Sequence, residues 1–189
     1  DEGSAVAVES PTYLAALQVF KLFGADFKGF HYSDKELADA HNSLRLLYAI
    51  PTFQNPSGYC YSIEERQDLA DFCKSNQVPL FEDDPYRELA FDSCCTTPVC
   101  SFMKEGTWIY QSSFSKTFVP GMRLGYMICS NDLIRPLSRL KQAADLHSSR
   151  ISQWLTIALL KDKSRGRRLA HLRDFNSTLR DSLALNLVE

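Results

Sequence analysis

No apolar run among the 189 residues approaches the ~20 that a helix needs to cross a bilayer, which excludes a membrane span of that kind. The opening Asp1-Glu2-Gly3-Ser4 lacks the basic and apolar regions of a signal peptide, so the sequence places the chain in the cytoplasm. Neither sign of charge dominates. A formal charge of −2 and a pI near 6.1 give no overall reason to expect nucleic acid or an anionic membrane as partner. The basic run from Lys161 to Arg168 has no interleaved aromatics and reads as a solvated turn between helices. There is no CxxC pair, and no histidine stands at ligand spacing from Cys94-Cys95 or Cys100; no metal site is assigned, and the cysteines read as reduced thiols. Internal repeats, low-complexity stretches and a flexible interdomain linker are also missing.

What is present is ordinary globular composition, 44% hydrophobic and 23% charged, patterned as alternating strands and helices. Ala5 to Glu9 reads as a strand closed by Ser10-Pro11, and Tyr13 to Phe23 as a helix with Gly24 as its C-cap. Leu44 to Ile50 is a second strand, followed by the turn-rich Asn55-Pro56-Ser57-Gly58. Ser62 with Glu65 three residues on is a capping box, opening a helix to about Asn76. Val78 to Glu82, Trp108 to Gln111 and Leu124 to Cys129 are short, buried-type strands. From Asn131 the pattern is helical to Leu160, and again from Ser164 to the end. The expected fold is α/β, a mostly parallel sheet flanked by helices and followed by a helical C-terminal segment.

In open α/β sheets, ligands bind beyond the carboxyl ends of the strands. The text just after each strand is therefore informative: Pro51 to Gly58 containing QNPSG, Glu82 to Tyr86 as EDDPY, Ser113 to Thr117 as SFSKT, and Gly121 to Tyr126 as GMRLGY. Singly, each is an ordinary turn or helix start. In this order, with KQAADLHSS on the next helix, they resemble the fold-type I pyridoxal-phosphate aminotransferases. The likeness is to the kynurenine and 2-aminoadipate branch, together with the catalytic-type domains of MocR-like regulators, and it runs from Val8 to about Gln153.

The resemblance implies roles residue by residue. Lys116 would form the Schiff base with pyridoxal 5′-phosphate and then, freed by the substrate, shuttle the proton. Asp83 would contact the pyridine nitrogen, a part for which Asp84 is the neighbouring alternative. Tyr86 and Asn55 would hydrogen-bond the ring's phenolic oxygen; Arg123, Ser113 and Ser115 would hold the phosphate; Tyr13 would stack on the ring. The catalytic set is thus Lys116, Asp83 and Tyr86. The implied partners are amino-acid and 2-oxo-acid substrates and, in a full-length form, a second copy making a homodimer.

Such enzymes are about twice this length, so residues 1–150 would correspond to part of the large cofactor-binding domain and 151–189 to a helical segment leading toward a small C-terminal domain. The arginine that grips the substrate carboxylate has no counterpart here. The stretch from Phe23 to Leu44 is shorter than in the family, which predicts a sheet with one strand fewer, an exposed edge and weak cofactor binding with little turnover. Two other readings stand beside the enzyme: an effector domain of a MocR-like transcription regulator, and a non-catalytic fragment.

Overall fold

The computed structural model describes residues 2–31, 43–91 and 93–187. Six strands form one sheet in the order β2-β1-β3-β4-β5-β6: β1 (Ala5–Glu9), β2 (Asp26–Phe30), β3 (Leu44–Ala49), β4 (Leu80–Asp83), β5 (Trp108–Ser113) and β6 (Gly125–Cys129). The first five run parallel, and β6 lies antiparallel on the edge beside β5. Parallel strands are covered on both faces, which is why β1 and most of β3 are continuously apolar.

Side-chain alternation divides the core in two. On one face Ala5, Ala7, Leu47, Ala49 and Leu80 pack against Leu69, Ala70 and Cys73 of α2 (Ile63–Ser75). On the other, Val6, Val8, Tyr48 and Ile50 meet Ala16, Leu17 and Phe20 of α1 (Leu14–Leu22). Leu47 and Ala49 have no exposed surface. A leucine buried so completely contributes about 1.5–3 kcal/mol. The capping box of α2 is formed: Glu65 N donates to Ser62 Oγ at 3.1 Å and Ser62 N to Glu65 Oε2 at 2.7 Å.

Two expectations change. The sheet is not short of a strand: Asp26–Phe30 pairs with β1 over five positions, from Ala5↔Asp26 to Glu9↔Phe30. Its sequence, Asp-Phe-Lys-Gly-Phe, is poor in β-favouring residues, yet an edge strand with one open side tolerates that. Residues 32–42 lie outside the described residues. The cysteines are not all reduced, because Cys60 and Cys94 form a disulfide with Cα atoms 6.2 Å apart, leaving Cys73, Cys95, Cys100 and Cys129 free. The helical stretch expected from Asn131 is present as two helices, α3 (Asn131–Asp145) and α4 (Arg150–Lys161), separated where Leu146 takes a φ of 61°. A final helix α5 (Arg165–Leu187) follows. No described helix is long and apolar enough to cross a membrane.

Candidate active site

The strand order reverses between β1, whose crossover through α1 leads outward to β2, and β3, which starts the run in the opposite direction. Sheets of this kind open a crevice at that point, beyond the carboxyl ends of the strands. The segments after β1, β3, β4 and β5 all arrive there.

Asp83 is the last residue of β4 and only 8% exposed. Its Oδ2 accepts a hydrogen bond from Tyr48 Oη at 2.8 Å, and the Gln111 side chain also bonds to it. Burial raises its pKa above the usual carboxylate range, and these two bonds work against that rise. Alternation sends the next residue to the opposite face. Asp84, with no exposed surface, accepts from Tyr110 Oη at 3.1 Å and interacts with Thr52 and Arg66. The two adjacent aspartates, indistinguishable by composition, thus occupy different faces of the sheet.

Tyr86 begins the short 3-10 turn after β4. Its phenol is held above its ordinary pKa by burial, then by the charge of Asp83 and the neighbouring Tyr13, while a hydrogen bond with Asn55 works the other way. Those influences locate Asp83, Tyr13 and Asn55 around one ring. Lys116 Nζ stands 5.7 Å from the centre of the same ring, close enough for a cation–π contact. The structure therefore brings Tyr13, Asn55, Asp83, Tyr86 and Lys116 together. Tyr13 is the N-cap residue of α1, makes no capping hydrogen bond and is 42% exposed.

Ser113 ends β5, and its Oγ accepts from Ser115 N at 3.1 Å, folding the start of the lysine-bearing turn. Arg123 precedes β6 in the left-handed region, φ 47°, with its side chain exposed. The backbone carries it toward the serines, since Phe114 N bonds to Leu124 O at 3.1 Å and Ser113 pairs with Gly125. Glycine is required there: a Cβ on residue 125 would lie 2.8 Å from Ser112 O. No hydrogen bond or ion pair joins Arg123 to either serine among the described residues, so this group is adjacent along the backbone rather than assembled by side-chain contacts.

Two buried polar residues behind the site, Glu9 and Gln54, were given no role from the sequence, although Gln54 opens the QNPSG motif. Glu9, at the end of β1, receives Tyr61 Oη at 2.7 Å, Ile50 N at 2.9 Å and Gln54 Nε2 at 3.4 Å. Gln54 in turn donates to Pro11 O and accepts from Ser57 N, shaping the loop that carries Asn55. The signal available in the sequence was their place just past strand ends, which was used for Asn55 but not for its neighbours. A cleft of about 930 Å³ beside Arg87, Trp108, Tyr110 and Tyr126 is lined by none of the crevice residues.

Comparison with known proteins gives this geometry a family. The description of aminotransferase class I and II matches residues 1–189. The 2-aminoadipate transaminase of Thermus thermophilus is 34% identical over 172 residues, covering 86% of this chain and 43% of its own length. An uncharacterized HTH-type transcriptional regulator of Bacillus subtilis, YisV, is 35% identical over 158 residues, covering 80% of this chain and 33% of its own. The kynurenine aminotransferase of Pyrococcus horikoshii, solved with PMP and kynurenine, superposes with a TM-score of 0.92 at 29% identity over all of this chain and 50% of that one. The chain thus spans half or less of the length of these proteins. A six-stranded sheet of this order, a crevice ringed by these five side chains, and similarity of this extent show that the chain belongs to the class I and II aminotransferase family.

Proposed function

We propose that this chain carries the cofactor-holding machinery for pyridoxal-phosphate-dependent transamination between an amino acid and a 2-oxo acid, with Lys116 as the residue that bonds the cofactor. The observation that carries the reading is the convergence of Lys116, Tyr86, Asn55, Asp83 and Tyr13 in one crevice. The donor set fits the group: an amine, a buried carboxylate, a phenol beside an amide, and a free aromatic face. When bound, pyridoxal phosphate supplies an aldehyde for the covalent link and a conjugated ring that accepts the electron pair left at Cα.

The chain's own residues do the rest. Lys116 would anchor the cofactor through its amine and, as a free amine, would move the proton at the substrate Cα. Asp83, oriented by Tyr48 and Gln111, holds a proton on the ring nitrogen, where a carboxylate of low exposure is well matched to a cation. Tyr86 and Asn55 would donate to the cofactor's phenolic oxygen, and Tyr13 would supply an aromatic face for its ring. Arg123, with Ser113 and Ser115, holds the phosphate. In this reading residues 1–150 belong to the large domain of the parent fold and residues 151–189 lead toward its small domain, with a homodimer as the full-length form and the cytoplasm as its location.

The 35% identity to a transcriptional regulator favours a second reading, an effector domain that binds the cofactor without efficient turnover. One experiment separates them. Titration with pyridoxal phosphate gives a saturable visible band that Lys116→Ala abolishes; addition of a panel of amino acids then bleaches the band with stoichiometric 2-oxo acid released. A band that no amino acid bleaches selects the regulator. No band at all removes both readings and leaves a non-catalytic fragment.

A further inference from the structure

The basic run read as a solvated turn supplies the first residue of α5, Arg165, and that residue is ion-paired. Arg165, Leu169 and Arg173 stand four residues apart, and Arg180 follows seven on, so all four share one face of the helix. Leu169 is the buried residue among the described residues of this 23-residue helix. One leucine is too little apolar surface to set where a helix of that length docks, so its placement depends on directed bonds.

Those bonds converge on the segment after β4. Arg165 pairs with the Glu88 carboxylate, and Arg173 Nε donates to the Glu88 carbonyl at 2.9 Å. Farther along, the Arg180 guanidinium lies 4.9 Å from the centre of the Phe91 ring, which stacks on Phe53 of the Asn55 loop at 5.9 Å. Glu88 is the middle residue of the 3-10 turn Arg87–Leu89, and Tyr86 is the N-cap residue of that turn. Leu89 N donates to Tyr86 O at 2.8 Å, so a hold on Glu88 is a hold on the backbone that carries the Tyr86 ring. A single 3-10 turn has poor hydrogen-bond geometry of its own and gains from outside support. The ring so placed is the one that faces Lys116 Nζ at 5.7 Å.

We infer that Arg173, with Arg165 as a second anchor, is a positioning residue that fixes the turn carrying Tyr86 and thereby the placement of its phenol in the crevice. The inference rests on the reading of Tyr86 as cofactor-facing. Of the two arginines Arg173 is the stronger hold, since it bonds to backbone, whereas the Arg165–Glu88 pair joins two partly solvated side chains. Arg173→Met keeps an unbranched stem and good helix propensity while removing the donors, and Arg173→Lys returns a charged donor without the planar fork.

The test compares Arg173→Met and Arg173→Lys with the parent chain, each alone and combined with Tyr86→Phe. Amide exchange at Leu89, bonded to Tyr86 O, reports the turn; exchange at Leu47, bonded to Pro79 O within the sheet, reports the fold as a whole. Arg173→Met should speed exchange at Leu89 by about tenfold while leaving Leu47 unchanged, and Arg173→Lys should return Leu89 most of the way to the parental rate. Affinity for pyridoxal phosphate should fall about fivefold in Arg173→Met, but by less than about twofold when Tyr86→Phe is already present, because the loss runs through the phenol. Unchanged exchange at Leu89, equal acceleration at Leu89 and Leu47, or an affinity loss as large in the Tyr86→Phe background overturns the inference, because Arg173 is then either idle or merely structural. If the parent gives no cofactor band while Leu89 responds as expected, the hold on the turn stands and the cofactor reading is what fails.

Discussion

Burial of ionisable groups behind the crevice makes individual residues testable. Glu9 is pushed up to about 7 from 4.5, first by desolvation, with Tyr61, Ile50 and Gln54 opposing. A carboxyl whose folded pKa is raised holds its proton in the native state between about 4.5 and 7, while the unfolded chain has lost it. Its contribution to stability is fully present below the lower value and is lost as pH rises through the upper one. Urea unfolding across that window should therefore show the parent losing stability relative to Glu9→Gln; parallel curves would refute the assignment. Tyr48→Phe strips the donor from a buried carboxylate and should cost about 1–3 kcal/mol in the same assay, measured near neutral pH. A loss under a few tenths would mean that Gln111 suffices. At this scale the sequence was informative where a residue sat in a motif. Lys116, Asp83, Tyr86 and Asn55 could be singled out, and Gln54 lay inside the QNPSG motif without a role, but Tyr48 and Arg66 could not be singled out, since a buried tyrosine or arginine looks like any other until its partners, many residues away, are known.

Local signals decided most of the elements. Ser62 and Glu65 announced α2, and Ser62→Ala should lower stability by ~1 kcal/mol with the thermal midpoint as readout. No change would show that Glu65, which also accepts from Tyr59 Oη, holds the helix start alone. β2 was missed because an edge strand needs few β-favouring residues; what holds Asp26–Phe30 is its five-position pairing with β1 and the burial of Phe30. The disulfide was missed for a related reason: Cys60 and Cys94 are 34 residues apart, and only the return of the chain beside the Asn55 loop brings them together. Thiol titration of the denatured, unreduced chain should find four groups. Six would contradict the bridge. The C-terminal helix gave no sign in its text of where it docks, yet it grips the segment after Tyr86. Arg165 pairs with Glu88, Arg173 Nε donates to Glu88 O at 2.9 Å, and Arg180 lies 4.9 Å from the centre of the Phe91 ring, which stacks on Phe53.

Across the whole molecule, a mostly parallel sheet follows from strands alternating with helices, and that much was visible in the pattern; the reversal of strand order beside β1 was not, because it depends on the missed β2. The same topology explains why residues spread from Tyr13 to Lys116 meet: they follow strands whose carboxyl ends lie along one edge, while Arg123 precedes the antiparallel β6, whose start lies beside the end of β5. Less legible was the outer surface. Leu140, Ile151, Trp154 and Leu155 of α3 and α4 are more than half exposed, a feature of contacts that composition does not report. In the proposed function one lysine among the many of this chain bonds the cofactor. Borohydride reduction of the chain mixed with pyridoxal phosphate, followed by peptide mapping, tests it most directly. One stoichiometric adduct on the peptide containing Lys116 is expected; an adduct spread over surface lysines such as Lys21, Lys74 and Lys141, with Lys116 unmodified, would rule out Lys116 as the bonding residue.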